Sequence, residues 1–333
     1  MKVLVTGAAG FIGSHVTKRL LNENHEVVGI DNLNDYYDVT LKKARLGLVD
    51  TFSKFTFHKM DLVDKKAIAN LFKDEKFDAV IHLAAQAGVR YSIENPFSYV
   101  DSNLTGMMTI LEGCRNNNIE HLVFASSSSV YGLNKKIPYS VKDRVDNPVS
   151  LYAATKRSGE LMSYSYSHLY NLKITALRFF TVYGPYGRPD MSPFIFTKNI
   201  IEDKPIKLFN NGNHKRDFTY IDDIVSGVLL ALNHMPTSNY LMESKEVSSV
   251  PFKILNIGNN KPINLLEYVC IIEEVLGKEA IKVLEPMQLG DVENTWADID
   301  EMINVGYRPS TDLKLGMKKF IDWFIDFYDI KKY

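Results

Sequence analysis

The 333-residue sequence predicts an α/β fold: a doubly wound parallel sheet joined to a smaller mixed α/β region. Three observations carry this expectation. Short apolar runs alternate with helix-length segments as far as Arg178, glycines cluster at the first strand-to-helix junction, and turn residues break the alternation beyond Arg178.

Lys2-Val3-Leu4-Val5-Thr6 reads as a short buried strand. Gly7-Ala8-Ala9-Gly10-Phe11-Ile12-Gly13 then opens an amphipathic run through Leu21. Glycines allow a tight turn, close approach of backbone to a pyrophosphate and close packing of helix on strand, so phosphates would sit on the helix N-terminus. The spacing here is three and three, wider than the general G-x-G-x-x-G form. Glu26 to Ile30 makes a second strand ending in Asp31, with Asn32 next to it as a further cofactor-binding candidate. An acid about 20 residues beyond the glycines can accept from a ribose diol and repels a 2′-phosphate, which favours NAD over NADP. On the motif alone, a plain glycine turn with a capping Asp stays open.

Further strands are expected at Thr56–Lys59, Ala79–Leu83, Leu122–Ser126 and Ile174–Arg178. Parallel strands joined by right-handed crossovers bring their carboxyl ends to one edge, where ligands bind. Asp61 and Leu62 follow the third strand, placed for an adenine amino group and ring. Leu83, Ala84 and Ala85 close the fourth, where small residues admit a cofactor or simply pack tightly. His82, inside that strand, reads as a satisfied core histidine.

Beyond Arg178, helices are expected at Met191–Asp203, Asp222–His234, Leu265–Leu276 and Leu313–Tyr328, with Lys253–Ile257 a strand able to return to the first sheet. The division is therefore a first domain at 1–178, with returning segments near 219–234 and 252–258, and a second region at 179–333. Pro236 to Pro251 reads as a loose loop.

A net charge of -1 and 45% hydrophobic content describe an ordinary globular chain and argue against nucleic acid as the main partner. No apolar stretch reaches the roughly 20 residues of a membrane helix, so no membrane partner is expected. Cys114 and Cys270 stand far apart in no metal-like or redox spacing, which suits a reducing compartment and a cytoplasmic home. The eight histidines form no metal-ligand pattern, so no metal is assigned. Asn103-Leu104-Thr105 matches a glycosylation sequon by chance.

The chemistry centres on Ser126-Ser127-Ser128-Ser129-Val130-Tyr131-Gly132 and Tyr152-Ala153-Ala154-Thr155-Lys156. A phenol with a pKa of about 10 is a poor base at neutral pH unless a cation favours its ionised form. Residues four apart on a helix share one face about 5–6 Å apart, so Tyr152 and Lys156 can address one ligand. The spacing alone equally fits a half-buried tyrosine beside a solvated lysine; the cofactor motif ahead of it gives it meaning.

Together these motifs resemble the extended short-chain dehydrogenase/reductase superfamily, over essentially the whole chain. The resemblance is strongest to nucleotide-sugar epimerases, and within them to UDP-glucuronate 4-epimerases, through Asp31 to Tyr37, Arg178 to Pro185, Gly187-Arg188-Pro189-Asp190-Met191 and Lys215 to Asp223. It implies an NAD-binding Rossmann domain, a nucleotide-sugar-binding second domain and a homodimer. It also implies Tyr152 as the base, Lys156 as the residue that lowers its pKa and holds the nicotinamide ribose, and Ser127 as the hydroxyl that orients the sugar O4. Tyr152 would take the O4 proton as hydride leaves C4 for NAD, and the 4-keto sugar would turn over and regain hydride on its other face.

Relatives that dehydrate or decarboxylate carry an acid just after the catalytic hydroxyl, where this chain has Ser128 and Ser129, so inversion at C4 is expected. A uronate carboxylate needs hydrogen bonds or a cation to offset its lost hydration. The resemblance supplies Ser128, Ser129, Thr181 and Arg188 for it, although Arg188 pairing with Asp190 stays open. It also implies Arg216 at the diphosphate and Asp291 at the uridine ribose. UDP-galactose 4-epimerases usually carry arginine where Gln288 stands, and the nearest relatives tryptophan where Tyr186 stands. Conversion of UDP-glucuronate to UDP-galacturonate is the leading expectation. The alternatives are epimerisation of a neutral or N-acetylated UDP-hexose and, in another class, a non-catalytic NAD-binding sensor or scaffold.

Overall fold

The computed structural model describes residues 1–237, 250–288 and 292–331. Among them the strands run in chain order as β1 (Lys2–Thr6), β2 (Glu26–Asp31), β3 (Phe55–Lys59), β4 (Ala79–His82), β5 (His121–Ser127), β6 (Lys173–Phe179), β7 (Thr181–Tyr183), β8 (Ile206–Leu208), β9 (Lys215–Tyr220), β10 (Phe252–Ile257), β11 (Pro262–Asn264) and β12 (Lys282–Leu284). Seven of them make one parallel sheet in the order β10-β6-β5-β4-β1-β2-β3. This is the Rossmann-like sheet the alternation predicted, with β10 returning to pair with β6.

Parallel strands covered on both faces are apolar throughout, because each successive side chain meets a different layer of helices. Val3 and Val5 of β1 join the core on one face, with Ile81, Val123 and Leu177. Leu4 joins the core on the other, with Val28, Val80, Leu122 and Ile174. The register sets Thr6 beside Ile30 on one side and His82 on the other, so the strand ends are level. Strand order reverses between β1 and β4, and that switch point opens a crevice above the carboxyl ends.

Gly7 begins the first turn with φ +73°, a left-handed conformation glycine adopts without strain. Helix Phe11–Asn22 packs so closely on that turn that a Cβ at Gly13 would lie 2.0 Å from the Gly7 carbonyl oxygen.

The chain after β4 departs from a simple crossover. A π-helical turn at Val100–Thr105 leads into helix Gly106–Asn116 and turns Asn103 inward. The Asn103 carboxamide accepts from Gln86 N at 2.8 Å and donates to Gln86 O and Thr155 Oγ1 at 3.0 Å each. With 6% exposure, this sequon asparagine is a structural clamp.

In the second region β9 pairs parallel with β7 and antiparallel with β11, while β8 pairs with β12. Helices Ser192–Ile201, Leu265–Leu276 and Leu313–Phe327 enclose an aromatic core in which Phe218 stacks on Tyr268 at 4.3 Å. Asp217, fully buried on β9, accepts from Asn259, Asn260 and Ala297 amides at 2.8, 3.0 and 3.0 Å, tying this region to the end of β10. No helix among the described residues is long and apolar enough to cross a membrane. The expected Pro236 to Pro251 loop lies mostly outside the described residues.

Helix Leu151–Tyr170 starts at Ser150, whose side chain caps the Ala153 amide at 3.1 Å. It is pinned to the sheet by Glu160. One carboxylate oxygen of Glu160 accepts from Ser126 Oγ (2.6 Å) and Arg178 Nε (2.8 Å), the other from Arg178 Nη2 (2.9 Å) and Arg157 Nη1 (3.0 Å). Arg178 also lies over the Tyr131 ring at 4.9 Å. Burial opposes the charge on Glu160, yet its arginine and serine partners hold its carboxyl below the usual glutamate value of 4.5. The stability this pair adds is therefore present above that value and lost as pH falls through the depressed one. Glu160→Gln, which leaves the Arg178 charge buried and uncompensated, is expected to destabilise the fold by about 3–5 kcal/mol in urea titrations at neutral pH.

Candidate active site

A cavity of about 420 Å³ occupies the crevice at the switch point and extends toward the second region. Every site residue expected from the sequence lines it, except Asp291, which lies outside the described residues. The lining joins two chemically distinct ends.

At one end, Gly7, Gly10, Phe11, Ile12 and Gly13 form the rim. Gly10 is the N-cap of helix Phe11–Asn22 and brings no side chain to its first amides, which leaves them available to an anion. A Cβ at Gly7 would lie 2.8 Å from Ala84 N, so β1 and the Leu83-Ala84-Ala85 segment meet as bare backbone. Thr6 Oγ1 accepts from Ala84 N at 3.1 Å and pairs with His82 Nδ1 at 2.7 Å. His82 is buried, and burial followed by the Lys156 charge lowers its pKa to about 3, so it is a neutral core residue. Asp31 accepts from Leu33 N at 2.8 Å, and burial pushes its carboxyl upward. Asp61 accepts from Asn32 Nδ2 at 2.9 Å and Val63 N at 3.1 Å, so these two expected residues brace each other. Leu62 beside them is buried.

At the other end, β5 delivers Ser127 and helix Leu151–Tyr170 delivers Tyr152 and Lys156. Ser127 Oγ caps the short Ser128–Tyr131 turn, accepting from Ser129 N at 3.2 Å and Ser129 Oγ at 2.9 Å. Capping uses its lone pairs and leaves its proton to donate into the cavity. Burial raises the Tyr152 pKa, while hydrogen bonding with Ser127 and the Arg188 charge pull it down and Asp190 pushes it up. Lys156 is buried, its ammonium 2.8 Å from the Ala125 carbonyl oxygen and 6.0 Å from the Tyr152 ring centre. Burial, then the Arg188 charge, lowers its pKa to about 8. The sequence expectation named Lys156 as the cation that tunes the phenol. The structure adds a second cation, Arg188, whose charge also pulls the Tyr152 pKa down, while the Lys156 ammonium rests on the Ala125 carbonyl.

Thr181, Ser128, Ser129 and Arg188 face the same space. Arg188 does pair with Asp190, with Nε donating to Oδ1 at 3.0 Å and Nη2 to Oδ2. Arg216 reaches the cavity from β9 and donates to the Val292 and Glu293 carbonyls at 2.8 and 2.9 Å. Tyr186 does not line the cavity; with φ +61° it packs on Trp323 at 4.9 Å.

Sequence reasoning passed over Tyr36, Lys42 and Arg45. Lys42, 5% exposed, donates to Asn34 Oδ1 at 2.7 Å, and Tyr36 donates to Asp190 Oδ2 at 3.1 Å. Arg45, fully buried, donates to the carbonyls of Ala9, Tyr186 and Gly187 at 3.2, 2.8 and 3.3 Å. Only the Asp31 to Tyr37 motif hinted at this segment, since Asp190, which Tyr36 meets, and Tyr186, which Arg45 meets, are more than 100 residues away.

Residues 3–242 match the model of the NAD dependent epimerase/dehydratase family. Protein CapI of Staphylococcus aureus is 50% identical, covering 98% of this chain and 99% of its own length. UDP-glucuronate 4-epimerase 4 of Arabidopsis thaliana is 48% identical, with 98% of this chain and 76% of the relative covered. The crystal structure of UDP-glucuronic acid 4-epimerase from Bacillus cereus, in complex with UDP-glucuronic acid and NAD, superposes with a TM-score of 0.88 at 36% identity, over 98% of this chain and 100% of that one. With a glycine-cradled crevice, a Ser-Tyr-Lys cluster and family agreement over most of its length, the chain belongs to the NAD dependent epimerase/dehydratase family.

Proposed function

We propose that the protein is an NAD-dependent isomerase that inverts C4 of UDP-glucuronate to give UDP-galacturonate. The observation that carries this reading is Arg188 in one cavity with Tyr152 and three successive serine hydroxyls, where a carboxylate and a reacting hydroxyl can be held together. Similarity to UDP-glucuronate 4-epimerases supports it.

NAD fits the cradle. Glycines at 7 and 10 leave the backbone open to a diphosphate, the uncapped helix offers amides to it, and Asp31 and Asp61 suit a ribose and an adenine amino group. Lys156 and Tyr152 would meet the nicotinamide ribose. When bound, NAD supplies the acceptor and donor of the C4 hydride.

Tyr152 accepts the O4 proton, while Ser127 donates to the same oxygen and fixes the direction of that transfer. Arg188 favours the phenolate electrostatically. Lys156, with its lowered pKa, holds a proton at the edge of the working range and can share it. Ser128, Ser129 and Thr181 offer hydroxyls to the sugar. The serine run lacks an acid or base that would carry a proton at C5, so a 4-keto sugar, the intermediate this reading requires, is reduced again and not dehydrated. Arg216 suits the diphosphate. Asp291 for the uridine ribose belongs to the same reading.

A second reading, inversion of a neutral or N-acetylated UDP-hexose, draws on the Asp190 carboxylate, which neutralises Arg188 in the free protein. The two readings differ in what Arg188 is for.

The chain is also read as a cytoplasmic homodimer. Leu161 and Leu169, two turns apart on helix Leu151–Tyr170, are 53% and 65% exposed, and Met108 on the adjacent Gly106–Asn116 helix is 38% exposed. A second copy of these two helices would bury that stripe in a four-helix interface. Cys114 and Cys270 are free thiols, which suits a reducing compartment.

Incubation of NAD-loaded protein with UDP-glucuronate is expected to give UDP-galacturonate signals by NMR; their absence would sink the leading reading. Arg188→Ala is expected to lower kcat/KM for the uronate by about 100-fold or more, as loss of a charge-assisted pair requires, and for a neutral UDP-hexose only by the much smaller factor that its pull on Tyr152 supplies. Equal loss on both sugars would favour the second reading. Sedimentation should show a dimer that Leu161→Glu with Leu169→Glu converts to monomer.

A further inference from the structure

A guanidinium has two edges that can grip a carboxylate: a side edge of Nε and Nη2, and an end edge of Nη1 and Nη2. Asp190 occupies the side edge of Arg188 with both oxygens. Nη1 donates to no protein atom among the described residues, so the end edge keeps a donor to offer. Arg188 stands in the cavity wall, and its charge already reaches Tyr152.

Asp190 is itself held. The Tyr36 hydroxyl donates to its Oδ2 at 3.1 Å, the same oxygen that Arg188 Nη2 grips. The Tyr36 ring is fixed against Tyr91 at 4.6 Å. Gly88, at φ +106°, makes room: a Cβ there would lie 2.9 Å from the Tyr36 hydroxyl and 3.6 Å from Asp190 Oδ2. From the same segment as Tyr36, Arg45 grips the Tyr186 and Gly187 carbonyls, immediately before Arg188. The loop carrying the receptor arginine is thus clasped at both ends by residues that follow β2.

We propose that Tyr36 and Asp190 are positioning residues that hold Arg188 by its side edge and aim its end edge at the carboxylate of the sugar, which makes them determinants of uronate specificity. The proposal rests on the uronate reading. Asp190 keeps the guanidinium compensated before substrate arrives, and Tyr36 stops the Asp190 carboxylate from swinging into the end edge. A neutral sugar makes no use of that edge, so the effect is confined to charged substrates.

Calorimetric titration of NAD-loaded protein with UDP-glucuronate, UDP-glucose and UDP tests it. Asp190→Asn is expected to weaken UDP-glucuronate binding by about tenfold or more and Tyr36→Phe by about two- to fivefold, with UDP-glucose and UDP within about twofold of wild type. Tyr36→Phe removes only a hydroxyl, so it carries the test if Asp190→Asn does not fold. An equal loss for both sugars, unchanged uronate affinity in a folded variant, or tighter uronate binding in Asp190→Asn would each overturn the proposal while leaving the uronate reading intact. A wild-type protein that binds UDP-glucuronate no better than UDP-glucose would overturn both.

Discussion

The buried pair of Glu160 and Arg178 is the contact on which the site depends. Arg178 closes β6, Glu160 lies mid-helix, and Ser126 at the end of β5 donates to the same carboxylate. Two strand ends and one helix are therefore locked by charge-assisted hydrogen bonds with both arginine and glutamate removed from water. Ser127 follows Ser126, and Tyr152 and Lys156 lie one to two turns before Glu160, so this lock sets the distance between the hydroxyls proposed to act on the substrate. A pair so deeply buried is weak evidence of net stability and a strong constraint on geometry.

The cavity exists because two differently built regions meet over the switch point. The parallel sheet brings backbone: glycines, alanines and the amides of an uncapped helix. The second region brings cations and a hydroxyl, Thr181 on β7, Arg188 on the loop after it and Arg216 on β9. Asp217 beside Arg216 anchors that region through three backbone amides at the far end of the sheet. A dinucleotide needs the first kind of surface and a charged sugar nucleotide the second, and the chain places them in one continuous wall.

Much of this could be read in the chain. The six sheet strands expected through Arg178 lie within one residue at each end of those observed, because continuous apolar runs bounded by Gly, Asp and Ser have few other ways to fold. The returning strand at 253–257 was legible for the same reason. The π-helical turn at Val100–Thr105 was not, since its signal is the inward carboxamide of Asn103 and its partners are Gln86 and Thr155. The second cation near Tyr152 was not legible for a related reason: helical spacing puts Lys156 on the right face, but does not place the Arg188 charge by the phenol or the Ala125 carbonyl on the Lys156 ammonium.

The sequence by itself determined the sheet, the glycine cradle with Asp31, and the chemical inventory of the cavity, because local periodicity and turn chemistry act over a few residues. Only the tertiary structure decided how that inventory is charged and aimed. Arg188 meets Asp190 by its side edge, Asp190 meets Tyr36 across 154 residues, and Arg45 meets the Tyr186 carbonyl across 141. Electrostatic and hydrogen-bond energies depend on distances between atoms in space, and separation along the chain does not encode them.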